Sequence, residues 1–404
     1  MLTPHAAVLR RARVAASLLF LLYGTILGTW TARIPAVKHR LALTDGQLSL
    51  ALLAFAAGAI IGMQASGRLV DRYGSGAVMV PAVLIDGVAL VGPALAPNLP
   101  GLAGCLLGFG AVHGILNVAM NVNAVEVQRA RERPMISSCH AVYSIGGFAG
   151  AGIGGLFARA ALGPTATFLT VTGLAVVASI WVARWALPAG WARPEGPDAG
   201  VPEPEDRTPG AMRGMLFMGL LVFCCLVGEG AAADWGSVYL RDSLGTGAGL
   251  AASAYAAFSI AMMAGRLVGD RLAAAVGPVS LVRVCGVLAS LGLAAGLLVG
   301  RPIAGVAGFG LLGAGLSCIA PQVFSAAGSR NPTRAGQAIA RVAGLGFLGF
   351  VVGPVVIGGT AQLVGLPRAL GIPAVLALAV AASAPALRPR PALPVRGGAA
   401  TTTG

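Results

Sequence analysis

The chain has 404 residues, of which 56% are apolar and only 10% charged, with a mean hydropathy of +0.83. Soluble domains carry about 25% charge, so a water-soluble globular fold is excluded: a chain this long could not clothe its surface with so few ions. The net charge of +14 raises nucleic acid as a partner, but no basic tract is interleaved with aromatics and the arginines sit in the breaks between apolar runs, which excludes that role.

Taken in order, the chain opens with Arg10-Arg11 before an apolar run. This mimics a twin-arginine signal without a small-residue cleavage site, and instead holds the start of the first helix in the cytoplasm. Apolar stretches of roughly 20 residues, enough to cross the hydrocarbon, fall at about 14–34, 47–66, 76–96, 101–125, 137–158 and 165–187. Six more follow at about 213–240, 248–268, 279–299, 302–325, 336–360 and 366–386. Thr44-Asp45-Gly46-Gln47 is a capping-box pattern that starts the second helix. Residues 188–212 are rich in proline and acids, too polar to bury and too proline-rich for a helix, and read as a linker. The tail at 388–404 reads as disordered. The expected fold is thus an all-α membrane protein of 12 transmembrane helices in two pseudo-symmetric six-helix bundles, 1–187 and 213–387.

Orientation follows from the basic residues. Only Arg33, Lys38, Arg40, Arg159, Arg241, Arg301 and Arg368 fall in the outer segments if both termini are cytoplasmic; the other 21 of the 28 fall inside. That bias also explains the net charge without a polyanionic partner. The expected setting is the bacterial inner (plasma) membrane, with the lipid bilayer and a small polar solute as partners and a monomer as the working unit.

The two halves are copies. Gly67-Arg68-Leu69-Val70-Asp71-Arg72-Tyr73-Gly74, a charged break between two apolar runs, returns as Gly265-Arg266-Leu267-Val268-Gly269-Asp270-Arg271. Gly108-Phe109-Gly110 recurs as Gly308-Phe309-Gly310, and Gly147-Phe148 as Gly346-Phe347, at offsets of 200 and 199. A near-constant offset implies parallel repeats about an axis along the membrane normal.

On these residues the chain resembles the major facilitator superfamily. Gly67, Arg68, Asp71, Arg72 and Gly74 resemble its signature between helices 2 and 3, and Gly265, Arg266, Asp270 and Arg271 a weaker copy between helices 8 and 9. Trp30-Thr31-Ala32-Arg33-Ile34-Pro35, Asn117-Val118-Ala119-Met120-Asn121 and Asp234-Trp235 with Tyr239-Leu240-Arg241-Asp242 resemble its YbjJ-type, fucose-permease-like bacterial branch. The resemblance implies two bundles rocking about a central site lined by helices 1, 4, 7 and 10, and it places Trp30 and Trp235 with the cavity candidates.

A charge at mid-bilayer costs about 2.5–3.5 kcal/mol on insertion scales, so each asks for a partner or a use. Asp71 can accept from N–H groups or arginines at neighbouring helix ends, as a cytoplasmic latch, or can sit in a solvated loop. The intact first motif is expected to dominate that latch over the copy interrupted by Gly269. Glu229 and Asp234 on helix 7 lie five residues apart, about 140° around the helix, so they serve different sites. Glu229 is the proton-coupling candidate, against a structural hydrogen bond. Arg33 and Asp234 hold pseudo-equivalent outer positions, as an outer gate that closes when the cavity faces inward or as snorkelling side chains.

His113, Asn117 and Asn121 form one polar stripe on helix 4 at i, i+4 and i+8. It suits a polyhydroxylated or zwitterionic solute, or bonds neighbouring helices. Where the fucose permease has an acid in helix 4, this chain has Asn117, which puts coupling through helix 4 in doubt. His140, Tyr143 and Gln322 are further cavity candidates, and Asp86 in helix 3 is open between pairing and function. The six cysteines lie in apolar runs without metal-type spacing and read as small hydrophobes. No metal, cofactor or enzymatic constellation is expected. The function expected is secondary transport of a small polar solute, proton-coupled, with efflux antiport as the rival and a non-transporting sensor as a remote alternative.

Overall fold

The computed structural model describes residues 4–186, 209–330 and 332–388. Among them there is helix and no strand, as buried backbone in a bilayer requires when no barrel closes. The first six helices are α1 (Pro4–Arg40), α2 (Asp45–Tyr73), α3 (Ser75–Leu95), α4 (Leu99–Arg131), α5 (Ile136–Arg159) and α6 (Pro164–Trp185). The second six are α7 (Pro209–Val238), α8 and α9 (248–276 and 278–299), α10 (Pro302–Arg330), α11 (Ala335–Val364) and α12 (Leu366–Leu387). Among the described residues eleven helical stretches are long and apolar enough to span; the longest holds two spans. Gly277, at φ 77° and ψ 160°, breaks it into α8 and α9.

Gly74 divides α2 from α3 with nearly the same dihedrals, φ 86° and ψ 154°, a region open to glycine and not to L side chains. The second copy reaches that turn one helical turn later relative to its aspartate. Both charged motifs therefore lie in the last turns of a helix rather than float in a loop.

Local signals behave as their chemistry directs. Thr44 Oγ1 accepts from Gln47 N and Gln47 Oε1 from Thr44 N, completing the capping box at the start of α2. Pro209 opens α7, so the helix begins inside the stretch read as linker; proline is tolerated there because the first N–H groups of a helix have no internal partner. The rest of that linker and the tail beyond residue 388 lie outside the described residues.

Packing repeats between the halves. α1 lies on α5 and α2 on α4, while α7 lies on α11 and α8 with α9 on α10. The α1–α5 crossing is close because glycines face backbone: a Cβ on Gly150 would sit 2.1 Å from Thr25 O, and one on Gly146 2.2 Å from Leu21 O. The halves meet where α2 touches α11 and where α5 touches α8.

Candidate functional site

The two aspartates of the charged motifs cross between the halves. Asp71 Oδ1 accepts from Gly336 N at 2.7 Å and its Oδ2 from Gln337 N at 3.2 Å and Gln337 Nε2 at 3.0 Å. Asp270 Oδ1 and Oδ2 accept from Ser137 N and Ser138 N, each at 2.9 Å. Neither α11 nor α5 has a side-chain cap of its own, so each carboxylate satisfies first-turn N–H groups of the opposite half and meets the positive end of its dipole. Gly67 makes room for this, since a Cβ there would sit 2.9 Å from Gln337 Cα. Gly265 lets α8 approach α10 at Ser317, and Gly269 does the same for α5 at Ser137. Both aspartates thus form caps, and Asp71 takes an extra bond from Gln337 Nε2. Gln64, Gln128 and Arg129 add further bonds across the halves at this end, to Ala340 O, Ser325 Oγ and Gly328 O. Arg68, Arg72 and Arg271 are exposed, with Arg72 stacked 5.2 Å from the Tyr73 ring centre.

Arg266 departs from the sequence expectation. It does not stay with the motif at the surface: it is 6% exposed and reaches into a cavity of about 300 Å³ between the halves. There its Nη2 lies 3.4 Å from Glu229 Oε1 of α7, and its Nη1 donates to Ser144 Oγ of α5 at 2.9 Å. One guanidinium therefore joins an acid of its own half to a hydroxyl of the other. A distance of 3.4 Å exceeds the roughly 2.7–2.9 Å of a strong charged hydrogen bond, so the pair is loosely made. The Arg266 displacement follows from the inserted Gly269: Arg266 precedes its aspartate by four residues where Arg68 precedes Asp71 by three, which turns it about 100° around the helix, toward the cavity.

Glu229, His113, Asn117, His140 and Tyr143 line the cavity. The stripe on α4 is also the interhelical hydrogen-bonding device that its chemistry allowed. His113 Nδ1 is 3.0 Å from Asp86 Oδ2 on α3, Asn117 Nδ2 donates to Tyr23 Oη on α1 at 3.1 Å, and Asn121 Oδ1 is 3.3 Å from His140 Nε2 on α5. Asn121 is buried beneath the wall, and Gln322 bonds Ser137 Oγ at 3.5 Å without lining the cavity. The surprise is aromatic: Phe20, Tyr23, Phe55, Phe324, Phe347 and Phe350 join Tyr143 in the wall. Seven aromatics spread over five helices, in pairs only on α1 and α11, do not announce a common wall until the helices are assembled.

The family model described as Major Facilitator Superfamily matches residues 15–331. The chain belongs to that superfamily. It is 33% identical over 379 residues to an uncharacterised MFS-type transporter of Yersinia pestis, covering 93% of this chain and 95% of that one. It is 32% identical over 360 residues to the membrane protein MosC of Rhizobium meliloti, covering 87% and 84%. Among solved structures it resembles FucP in an outward conformation, with a TM-score of 0.77 at 17% identity, covering 94% and 99% of the two chains. The proton:xylose symporter XylE gives 0.73 at 13% identity, covering 94% and 95%.

At the far end of this superfamily fold Arg33 and Asp234, expected to meet when the cavity faces inward, stand apart while the motif end is closed. Arg33 is 4% exposed and donates to Gly154 O and Leu162 O of its own half, while Asp234 is exposed. Arg33 is therefore tied to the end of α5 rather than snorkelling, and the two do not meet in this state. Trp30 is buried against Phe168 of α6, with ring centres 6.2 Å apart, and Trp235 packs on Gly358 of α11. Neither lines the cavity. Both tryptophans serve helix packing, and their place in the matched strings gave no hint of which way they turn.

Proposed function

We propose that this protein is a secondary active transporter that moves a small polar solute across the bacterial inner membrane by alternating access, with a proton as coupling ion. The observation that carries the reading is Arg266, which holds Glu229 of α7 and Ser144 of α5 at the wall of a cavity whose motif end is closed by the Asp71 and Asp270 caps. A proton on Glu229, or a solute group that competes for Arg266, weakens one side of that bridge. The loose pair then reorganises, and the contact between α5 and α8 changes with it. The two sets of six helices act as the moving bodies, and the motif-bearing end is cytoplasmic.

Support for a sugar-like or other polar solute comes from Glu229, Arg266, His113, Asn117, His140 and two phenols around one cavity, and from likeness of fold to a fucose:proton symporter and a proton:xylose symporter. The ring-rich wall favours a second reading, export of a solute with an aromatic or apolar face. Reconstitution in liposomes separates them. Accumulation of a radiolabelled sugar, amino acid or nucleoside driven by an inward proton gradient, lost in Glu229→Gln, is expected; accumulation that survives Glu229→Gln sinks the coupling role. Outward exchange of amphipathic solutes alone favours the exporter.

A further inference from the structure

A second ionisable pair lies outside the bridge just described. His113 Nδ1 faces Asp86 Oδ2 at 3.0 Å between α4 and α3, with side chains 3% and 0% exposed. Asp86 is the only charged residue of α3. Every neighbouring helix leaves it without a cationic counterpart other than His113. α1 presents Tyr23, whose ring stacks on His113 at 3.8 Å, and α2 presents Phe55. Tyr143 of α5 stands beyond Tyr23 at 5.6 Å, and the one charged residue of α6 is Arg184 in its last turn.

Charge accounting constrains this pair. Ionised Asp86 beside neutral His113 leaves a net negative charge in the membrane interior, which is costly; one added proton, on either residue, makes the pair neutral. The pair also has room to take it. Asp86 Oδ1 and His113 Nε2 are buried with no partner among the protein's own groups, which leaves an acceptor oxygen and a ring nitrogen open to a proton or to cavity water. His113 belongs to the cavity wall, and so does Tyr23, which is fixed by Asn117.

We propose that Asp86 and His113 form a proton-binding site distinct from Glu229, loaded from the cavity. One proton from cavity water adds to the pair, which holds it as imidazolium and carboxylate or as imidazole and carboxylic acid. The same proton returns to water on release. Tyr23 covers the site, so a solute that moves Tyr23 changes access to it. The site stands whether or not Glu229 carries a transported proton.

The test counts protons. Wild type, Asp86→Asn and Glu229→Gln, each as the full chain in lipid nanodiscs, are brought from about pH 8 to about pH 5, the range in which histidine-containing sites load, in weak buffer with an indicator dye. Asp86→Asn is expected to take up one proton per chain fewer than wild type; equal uptake overturns the proposal. A deficit in Asp86→Asn with none in Glu229→Gln removes Glu229 as carrier and leaves this site intact. Should Asp86→Asn fail to fold, ¹⁵N-histidine spectra of the wild type decide, because the chain has four histidines and the other three can be replaced singly for assignment. The His113 ring nitrogens are expected to shift over the same range, by gaining a proton or exchanging tautomer. Invariant His113 shifts overturn the proposal.

Discussion

Asp71 and Asp270 make the same contact in opposite directions: each takes two backbone N–H groups at the start of a helix in the other half, and the residues that donate, Gly336 and Gln337 against Ser137 and Ser138, stand at the same offset of 199 as the aspartates themselves. Asparagine keeps one acceptor oxygen and caps about as well as aspartate, so Asp71→Asn and Asp270→Asn each remove chiefly the charge at the helix N-terminus, worth about 0.3–1 kcal/mol, and should shift the equilibrium away from the motif-closed state by about two- to fivefold. The two sites share no partner, so their effects should add. Spin-label distances between the ends of α2 and α11, and of α5 and α8, measure this. Unchanged distance distributions in the double mutant would remove the caps from gating.

Close approach at the same seam yields a steric test. A Cβ on Gly336 would sit 2.6 Å from Gly67 O and 2.7 Å from Asp71 Oδ1, so Gly336→Ala pushes the carboxylate off its cap without touching either bundle's interior. The expected result is a chain that folds and inserts normally yet shows the widened α2–α11 distance of Asp71→Asn. A variant that keeps the wild-type distance would show that the seam relaxes around the methyl group.

Much of this architecture was legible because it rests on one-dimensional signals. Span length, the position of arginines and a fixed offset between glycine-rich landmarks gave twelve helices and a duplication, and Thr44 with Gln47 announced its own cap. The site was legible only in part. Arg266 read as a surface motif residue because it matched Arg68 in order, yet the inserted Gly269 sets it four residues before its aspartate where Arg68 is three before Asp71, and so turns it to another face of the helix. That inserted residue was visible when the two motifs were set side by side. Asp86 and His113 are 27 residues apart on neighbouring antiparallel helices; nothing in either string fixes the rotation that brings them together. Trp30 and Trp235 failed for the same reason.

The α1–α5 crossing should be intolerant of side chains. Gly150→Leu forces several atoms into the 2.1 Å between that position and Thr25 O, and overpacking of this kind costs about 1–3 kcal/mol or more. A fall in the melting temperature of the purified protein is expected, larger than for Gly152→Leu one turn-face away, where a Cβ meets nothing within 4 Å. Equal melting temperatures for the two variants would mean that the helices separate at no cost.

The Glu229–Arg266 pair makes a prediction whose ordering matters more than its size. Removing one member of a buried ion pair typically costs about 3–5 kcal/mol, because the other charge is left without a partner. Here the Glu229 side chain is 18% exposed and the distance is 3.4 Å, so water screens part of the penalty and about 2 kcal/mol is expected for Arg266→Ala. Glu229→Gln should cost less than that, since the amide oxygen still accepts from Arg266 and Ser144 still holds the other nitrogen. Combining the two removes the stranded carboxylate, so the double variant should be more stable than Arg266→Ala alone. Thermal melts of the four proteins close the cycle. A double variant that is less stable than either single one would mean that Arg266 stabilises the fold through Ser144 and the α5–α8 contact rather than through Glu229, and would detach the ion pair from the motion that the bridge is proposed to control.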